Sequence, residues 1–145
     1  MDNHPDPHRT SSIRQCSVIE LERHHHANGN LSVVENCPRL PVEFVRAFYI
    51  YDVPAGADRG GHSHFHCHQL LVAVAGSFDV TLDDGHSQRT ITLNRPYQAL
   101  HIVPGIWRTM QNFSSGSICL VLASDHYDES DYVRLYSEFK RLTAK

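Results

Sequence analysis

From Cys16 onward the chain is a series of short apolar stretches, many alternating apolar with polar positions, separated by Gly, Pro, Asn and Asp. A period of two is the mark of a strand with one buried face. The runs LSVVE, EFVRAFYIYDV, QLLVAVA, SFDVTL, TITL, ALHIV, WRTMQNF and SICLVLA each predict a strand, rich as they are in β-branched and aromatic residues. Asp84-Gly85 and Ser115-Gly116 supply the positive φ angles of tight turns, so the strands flanking each are expected to pair antiparallel. Asn94-Arg95-Pro96 and Pro54-Ala55-Gly56 break the ladder, because proline has no N–H to donate. Helical period occurs only at the C-terminus, where Tyr132, Leu135, Tyr136, Phe139 and Leu142 recur at steps of three and four. A single terminal helix is predicted there, with Asp128 or Ser130 as N-cap and Glu129 and Asp131 in the capping region.

The fold class is therefore all-β: a sandwich or small barrel, with one C-terminal helix packed on it and room inside for one small ligand. Residues 16–145 suffice for one domain. Residues 1–15 are polar and hold two prolines, which predicts a loose arm in which His4 and His8 are solvated.

Charge and composition narrow the function. Thirteen Lys and Arg against sixteen Asp and Glu leave a net charge of −3, a poor match to nucleic acid or an anionic membrane. No apolar run approaches the roughly 18 residues of a membrane span. Cys16, Cys37, Cys67 and Cys119 form no C-x-x-C pair and read as free thiols; with no secretory pattern at the start, a reducing cytoplasm is expected.

Twelve histidines are the outlying feature, and the segment Arg59-Gly60-Gly61-His62-Ser63-His64-Phe65-His66-Cys67-His68-Gln69 concentrates them. In an extended chain His62, His64, His66 and His68 share one face, which Leu70, Val72 and Val74 continue, so all four are expected on the inner wall. His24-His25-His26, just before Ala27-Asn28-Gly29, and His86, beside a hairpin turn, read as solvated.

Two chemistries suit the inner cluster. H-x-H imidazoles, joined by His68 four residues after His64, are a candidate transition-metal set: His62, His64 and His68. Against it, the segment Pro104–Asn112, where metal-binding cupin barrels add a histidine, carries Arg108, a permanent cation that cannot coordinate. Without metal, a neutral imidazole is a general base near pH 7 and a guanidinium stabilises a developing oxyanion, the pair needed to remove a proton beside a carbonyl.

FVRAFYIYDVP, RGGHSH, LDDG, PGIWRTMQNFS and above all CLVLASDHYDESDYVRLYSEF make the chain, from about Cys16 to its end, resemble the WxcM-like cupins, the nucleotide-sugar 3,4-ketoisomerases acting on dTDP-4-keto-6-deoxyglucose. The resemblance implies a small jelly-roll-like cupin barrel, a homodimer with exchanged strands, no metal and no cofactor. It places His62 and His64 on the family's H-A-H pair as proton carriers, with His62 expected as the principal base, and sets Arg108 near the reacting sugar. The reaction implied is loss of the proton on carbon 3 to an enediolate, then reprotonation at carbon 4.

Arg46 and Arg59 are candidates for the pyrophosphate, Tyr49 and Tyr51 for nucleotide or sugar, and Trp107 for a wall of the pocket. Departures from the family's pattern are Phe65 where H-A-H-K continues, the extra His66 and His68, and Phe48 in place of the first of two tyrosines. They keep open a metal-dependent oxygenase on the histidine set and a noncatalytic sugar-nucleotide sensor.

Overall fold

The structure, a computed structural model, describes residues 5–144. Ten of its strands form two five-stranded antiparallel sheets, stacked so that alternate residues of each fill one core. The first sheet consists of β1 (Ser17–Glu20), β9 (Gln98–Ile102), β6 (Gln69–Ala75), β11 (Ile118–Ala123) and β4 (Arg46–Ile50), in that order. The second consists of β12 (Tyr132–Val133), β5 (Arg59–His64), β10 (Trp107–Gln111), β7 (Phe78–Asp83) and β8 (Gln88–Leu93). A separate hairpin, β2 (Glu22–His24) and β3 (Leu31–Val33), carries the exposed His24, His25 and His26 near its turn.

Alternation explains β7, where Phe78, Val80 and Leu82 enter the core while Thr81 bonds Thr90 across the strand on the outer side. β6 reads QLLVAVA without alternation because both of its faces are covered. Leu71 and Ala73 face the core between the sheets; Leu70 and Val72 form a second cluster with Leu21 and Ala99, overlaid by Val34, Leu40 and Phe44.

The all-β expectation, the eight strand runs and the Asp84-Gly85 hairpin joining β7 to β8 match this architecture. Three expectations do not. Ser115-Gly116 joins β10 to β11, which lie in different sheets: a tight turn reverses the chain without dictating its partner. Tyr132 belongs to no helix. It pairs with His64 in β12, covering the otherwise open edge of β5, and α2 (Tyr136–Thr143) begins only after that.

The third correction concerns the N-terminal arm. Residues 5–15 pack on the barrel, with α1 (Pro7–Thr10) followed by a 3₁₀ turn at Ile13–Gln15. His8 is 2% exposed, its Nε2 2.8 Å from Ser63 Oγ and its Nδ1 2.7 Å from Asp6 Oδ1. Ser11 donates to the Pro104 carbonyl and the Ile13 amide to Asp84. Gly105, at φ 84°, makes room for this segment: a Cβ there would lie 2.6 Å from the Pro7 carbonyl oxygen. Polar composition misled because these polar groups find specific partners. His4, the other histidine expected to be solvated, lies outside the described residues.

Candidate active site

Between the sheets a cavity of about 570 Å³ opens, floored by Phe48, Leu71, Met110 and Val121. His62, Arg108, Gln69 and Tyr132 supply its polar wall. Local backbone geometry brings the first two together. Gly60 sits at φ 78° beside Met110, where a Cβ would lie 3.0 Å from the methionine methyl. Opposite it the β5–β10 register shifts between Arg108 and Met110, a bulge beyond which His62 is the direct cross-strand partner of Arg108.

The rings of His62 and His64 meet edge to face at 4.8 Å, and Tyr132 lies 5.1 Å from one and 4.4 Å from the other. His64 is fully buried, and its Nδ1 is 3.0 Å from Asp131 Oδ2. The Nε2 atoms of both histidines are buried and have no hydrogen-bond partner among the described residues. Burial, followed by the Arg108 charge and then by His64, drives the His62 pKa down to about 2. Burial also pushes His64 down, against the opposing effect of its hydrogen bond to Asp131, to about 4. Both rings are therefore neutral at pH 7.

Arg108 is 1% exposed and has no ion-pair partner among the described residues. Its Nη1 donates to Gln69 Oε1 at 2.7 Å and its Nη2 to the Ile106 carbonyl at 3.2 Å. Burial lowers its pKa to about 10, which leaves it charged at neutral pH. A buried cation without a counterion costs several kcal/mol, so this wall of the cavity is prepared for negative charge.

Residues 14–144 match the family model described as WxcM-like, C-terminal (FdtA). The chain belongs to the WxcM-like family. It is 40% identical over 128 residues to the TDP-4-oxo-6-deoxy-alpha-D-glucose-3,4-oxoisomerase of Aneurinibacillus thermoaerophilus, covering 88% of this chain and 92% of that protein. Among solved structures it is similar to a 3,4-ketoisomerase from Helicobacter canadensis, with TM-score 0.84, 39% identity, and coverage of 88% of this chain and 96% of the other. It is also similar to the TDP-quinovose 3,4-ketoisomerase WlaRB of Campylobacter jejuni, with TM-score 0.83, 41% identity, and coverage of 89% and 99% respectively.

Against the WxcM-like expectations, His62, Arg108, Tyr49, Tyr51 and Arg59 all line the cavity, and His64 lies directly behind His62. Tyr49 and Tyr51 stand at its mouth with their rings 5.7 Å apart, both mostly exposed. Arg46 does not line it: its Nε donates to the Asp125 carbonyl and its guanidinium lies 5.1 Å over the Phe48 ring. Trp107 is no wall of the cavity. It points to the opposite face of its sheet, under α2, with ring centroids 5.3 Å from Tyr136 and 5.6 Å from Phe139.

The set His62, His64 and His68 does not converge, because the chain leaves the ladder after His64 and turns through Phe65–Cys67 around the Asp131 carboxylate. That turn changes the parity, so Gln69 and Leu71, not Leu70 and Val72, face the cavity. His66 is exposed and His68 stacks on His101, its Nδ1 3.0 Å from His101 Nε2. His64, Cys67 and Asp131 bring ligand atoms within 4.8 Å of one another, but the Asp131 carboxylate is already occupied by His64 and by two backbone N–H groups.

Sequence reasoning missed Asp131, Tyr132, Gln69 and Arg134, whose exposed guanidinium lies 4.2 Å over the Tyr132 ring at the cavity wall. Asp128 does cap a turn, the 3₁₀ helix Glu129–Asp131, but Asp131 turns inward. Two signals were available: the family motif CLVLASDHYDESDYVRLYSEF, which contains Asp131, Tyr132 and Arg134, and the Tyr132-Val133 pair, strand-formers lying inside a helical period.

Proposed function

We propose that this WxcM-like protein is an isomerase, a nucleotide-sugar 3,4-ketoisomerase that converts a dTDP-4-keto-6-deoxy-hexose to the 3-keto isomer in deoxysugar biosynthesis. The reading draws its substrate class from the named activities of the relatives. One of them, the 3,4-ketoisomerase QdtA of Thermoanaerobacterium thermosaccharolyticum, was crystallised with TDP-4-keto-6-deoxyglucose as a histidine-to-asparagine variant.

The observation that carries the chemistry is the neutral His62–His64 pair beside the buried Arg108, which has no ion-pair partner among the described residues. The carbonyl at carbon 4 acidifies the hydrogen on carbon 3. A neutral imidazole takes that proton, and the electron pair moves to form the carbon 3–carbon 4 double bond of an enediolate. Arg108 stabilises the oxyanion, worth on the order of 3 kcal/mol for one well-placed donor in a dry site. Return of the proton to carbon 4, with transfer of the carbon 3 hydroxyl proton to the oxyanion on carbon 4, leaves a ketone at carbon 3 and a hydroxyl at carbon 4, with no net redox change.

Tyr49 and Tyr51 at the mouth offer flat surfaces for the nucleotide, and exposed Arg59 a fork for the pyrophosphate. We read the protein as a cytoplasmic homodimer with exchanged strands. The free cysteines fit a reducing compartment, and the partly exposed Val18 and Val74 on the first sheet fit a partner surface. Among the described residues no helix is long and apolar enough to cross a membrane.

The test is incubation with dTDP-4-keto-6-deoxyglucose followed by carbon NMR. Movement of the carbonyl from carbon 4 to carbon 3 is expected; binding without turnover, beside an active control enzyme, would refute catalysis.

A further inference from the structure

We infer that Asp131 is a positioning residue for this proton transfer: it fixes His64 in the tautomer protonated on Nδ1, so that Nε2 presents a bare lone pair toward His62 and Tyr132. The inference rests on the ketoisomerase reading for its consequence, though its geometry stands independently.

An ionised carboxylate has only acceptors, so the 3.0 Å contact between Asp131 Oδ2 and His64 Nδ1 requires the hydrogen to lie on Nδ1. The other ring nitrogen is buried with no partner among the described residues. Asp131 is itself held: Oδ1 accepts from the His66 amide at 2.7 Å and Oδ2 from the Cys67 amide at 3.1 Å. Burial pushes the Asp131 carboxyl up, but the bonds from His64 and these two amides outweigh it and hold the group ionised. Main-chain pairing puts it there. Tyr132 is the register partner of His64 and the Phe65 amide donates to the Asp131 carbonyl, so the preceding side chain falls beside the imidazole.

Charge supplies the second role. His64 is fully buried and is faced by His62 and Tyr132, with Arg108 and Arg46 adding positive potential. An imidazolium formed there meets two cations and one nearby anion, Asp131. Without that anion His64 is a weaker proton acceptor.

The experiment uses the full chain labelled with ¹⁵N in its histidines, with the His64 signals assigned by their loss in H64Q. The wild-type spectrum is expected to report a protonated Nδ1 and an unprotonated Nε2. In Asp131→Asn this signature should be lost or mixed, and kcat should fall by about 10²–10⁴-fold, as when a carboxylate that orients a catalytic histidine is replaced by an amide. TDP affinity should stay within about twofold, since Asp131 does not line the cavity. A purely structural role would not move the tautomer signature. Protonation of Nε2 in the wild type, or a wild-type kcat in D131N, overturns the inference. Should D131N fail to fold, the wild-type spectrum alone decides. A wild type that shows the expected tautomer yet never turns over the keto sugar refutes the ketoisomerase reading and leaves the Asp131–His64 assignment standing.

Discussion

His62 and Arg108 are direct partners across the β5–β10 ladder, a neutral imidazole and a buried guanidinium lining one cavity. The arrangement is costly to the fold, because among the described residues the charge of Arg108 is met only by the neutral oxygens of Gln69 and Ile106. On the proposed mechanism the enediolate oxyanion forms beside this charge.

Replacing Arg108 should therefore separate stability from activity. Arg108→Met is expected to melt at or above the wild-type temperature, since it removes an uncompensated charge at similar volume, while kcat falls by about 10²–10³-fold. Thermal denaturation and turnover measured on the same preparation check both halves. Strong destabilisation would mean the guanidinium holds the fold together.

The depressed histidines predict the acid side of the stability profile. His62 and His64 fold with pKa values of about 2 and about 4, below the unfolded value near 6.5. Below about pH 6.5 the unfolded chain takes up protons that the folded chain refuses, so stability is full above that pH and declines as pH falls toward the folded values. Each such group contributes about 1.4 kcal/mol per pH unit within its window. Urea unfolding from pH 7 to 5 should show a shallower decline in His62→Gln; an unchanged slope contradicts the assignment.

Removing the His8 side chain tests the N-terminal brace. The ring is sealed between Phe65 and Phe139, with centroids 4.9 and 5.8 Å away, and bridges Asp6 to Ser63. His8→Ala leaves a cavity and orphans a buried hydroxyl, an expected loss of about 2–4 kcal/mol in chemical denaturation. A wild-type midpoint would return residues 5–15 to the status of a loose arm.

Trp107 distinguishes a packing role from a binding one. Because its indole packs from β10 against α2, Trp107→Phe should cost roughly 1–2 kcal/mol of stability and leave KM for the nucleotide sugar within about twofold. A large rise in KM would place the indole at the substrate after all.

How much of this was legible in the sequence depended on whether the cause was local. Alternation in SFDVTL and the Asp84-Gly85 turn act over a few residues, and both strands of that hairpin follow directly. His62 and Arg108 could be named because their residue types and motifs carry the chemistry. What lay beyond reach was long-range pairing. Tyr132 fits a helical period with Tyr136 and Phe139, but the open edge of β5 claims it, 68 residues from its partner His64, and Asp131 moves with it. His68 and Trp107 failed for the same reason: a turn about a distant carboxylate changed the parity for one, and a helix covered the face occupied by the other.

The central claim is a proton carried by imidazole between adjacent sugar carbons. It is tested most directly by running the reaction on dTDP-4-keto-6-deoxyglucose in deuterium oxide and reading carbons 3 and 4 by NMR, with His62→Asn and His64→Asn in parallel. The account predicts a 3-keto product from the wild type, its carbon 4 bearing the transferred hydrogen or deuterium according to how far the imidazolium exchanges with solvent, and turnover lost or greatly slowed in at least one variant. Undiminished turnover in both variants would contradict it.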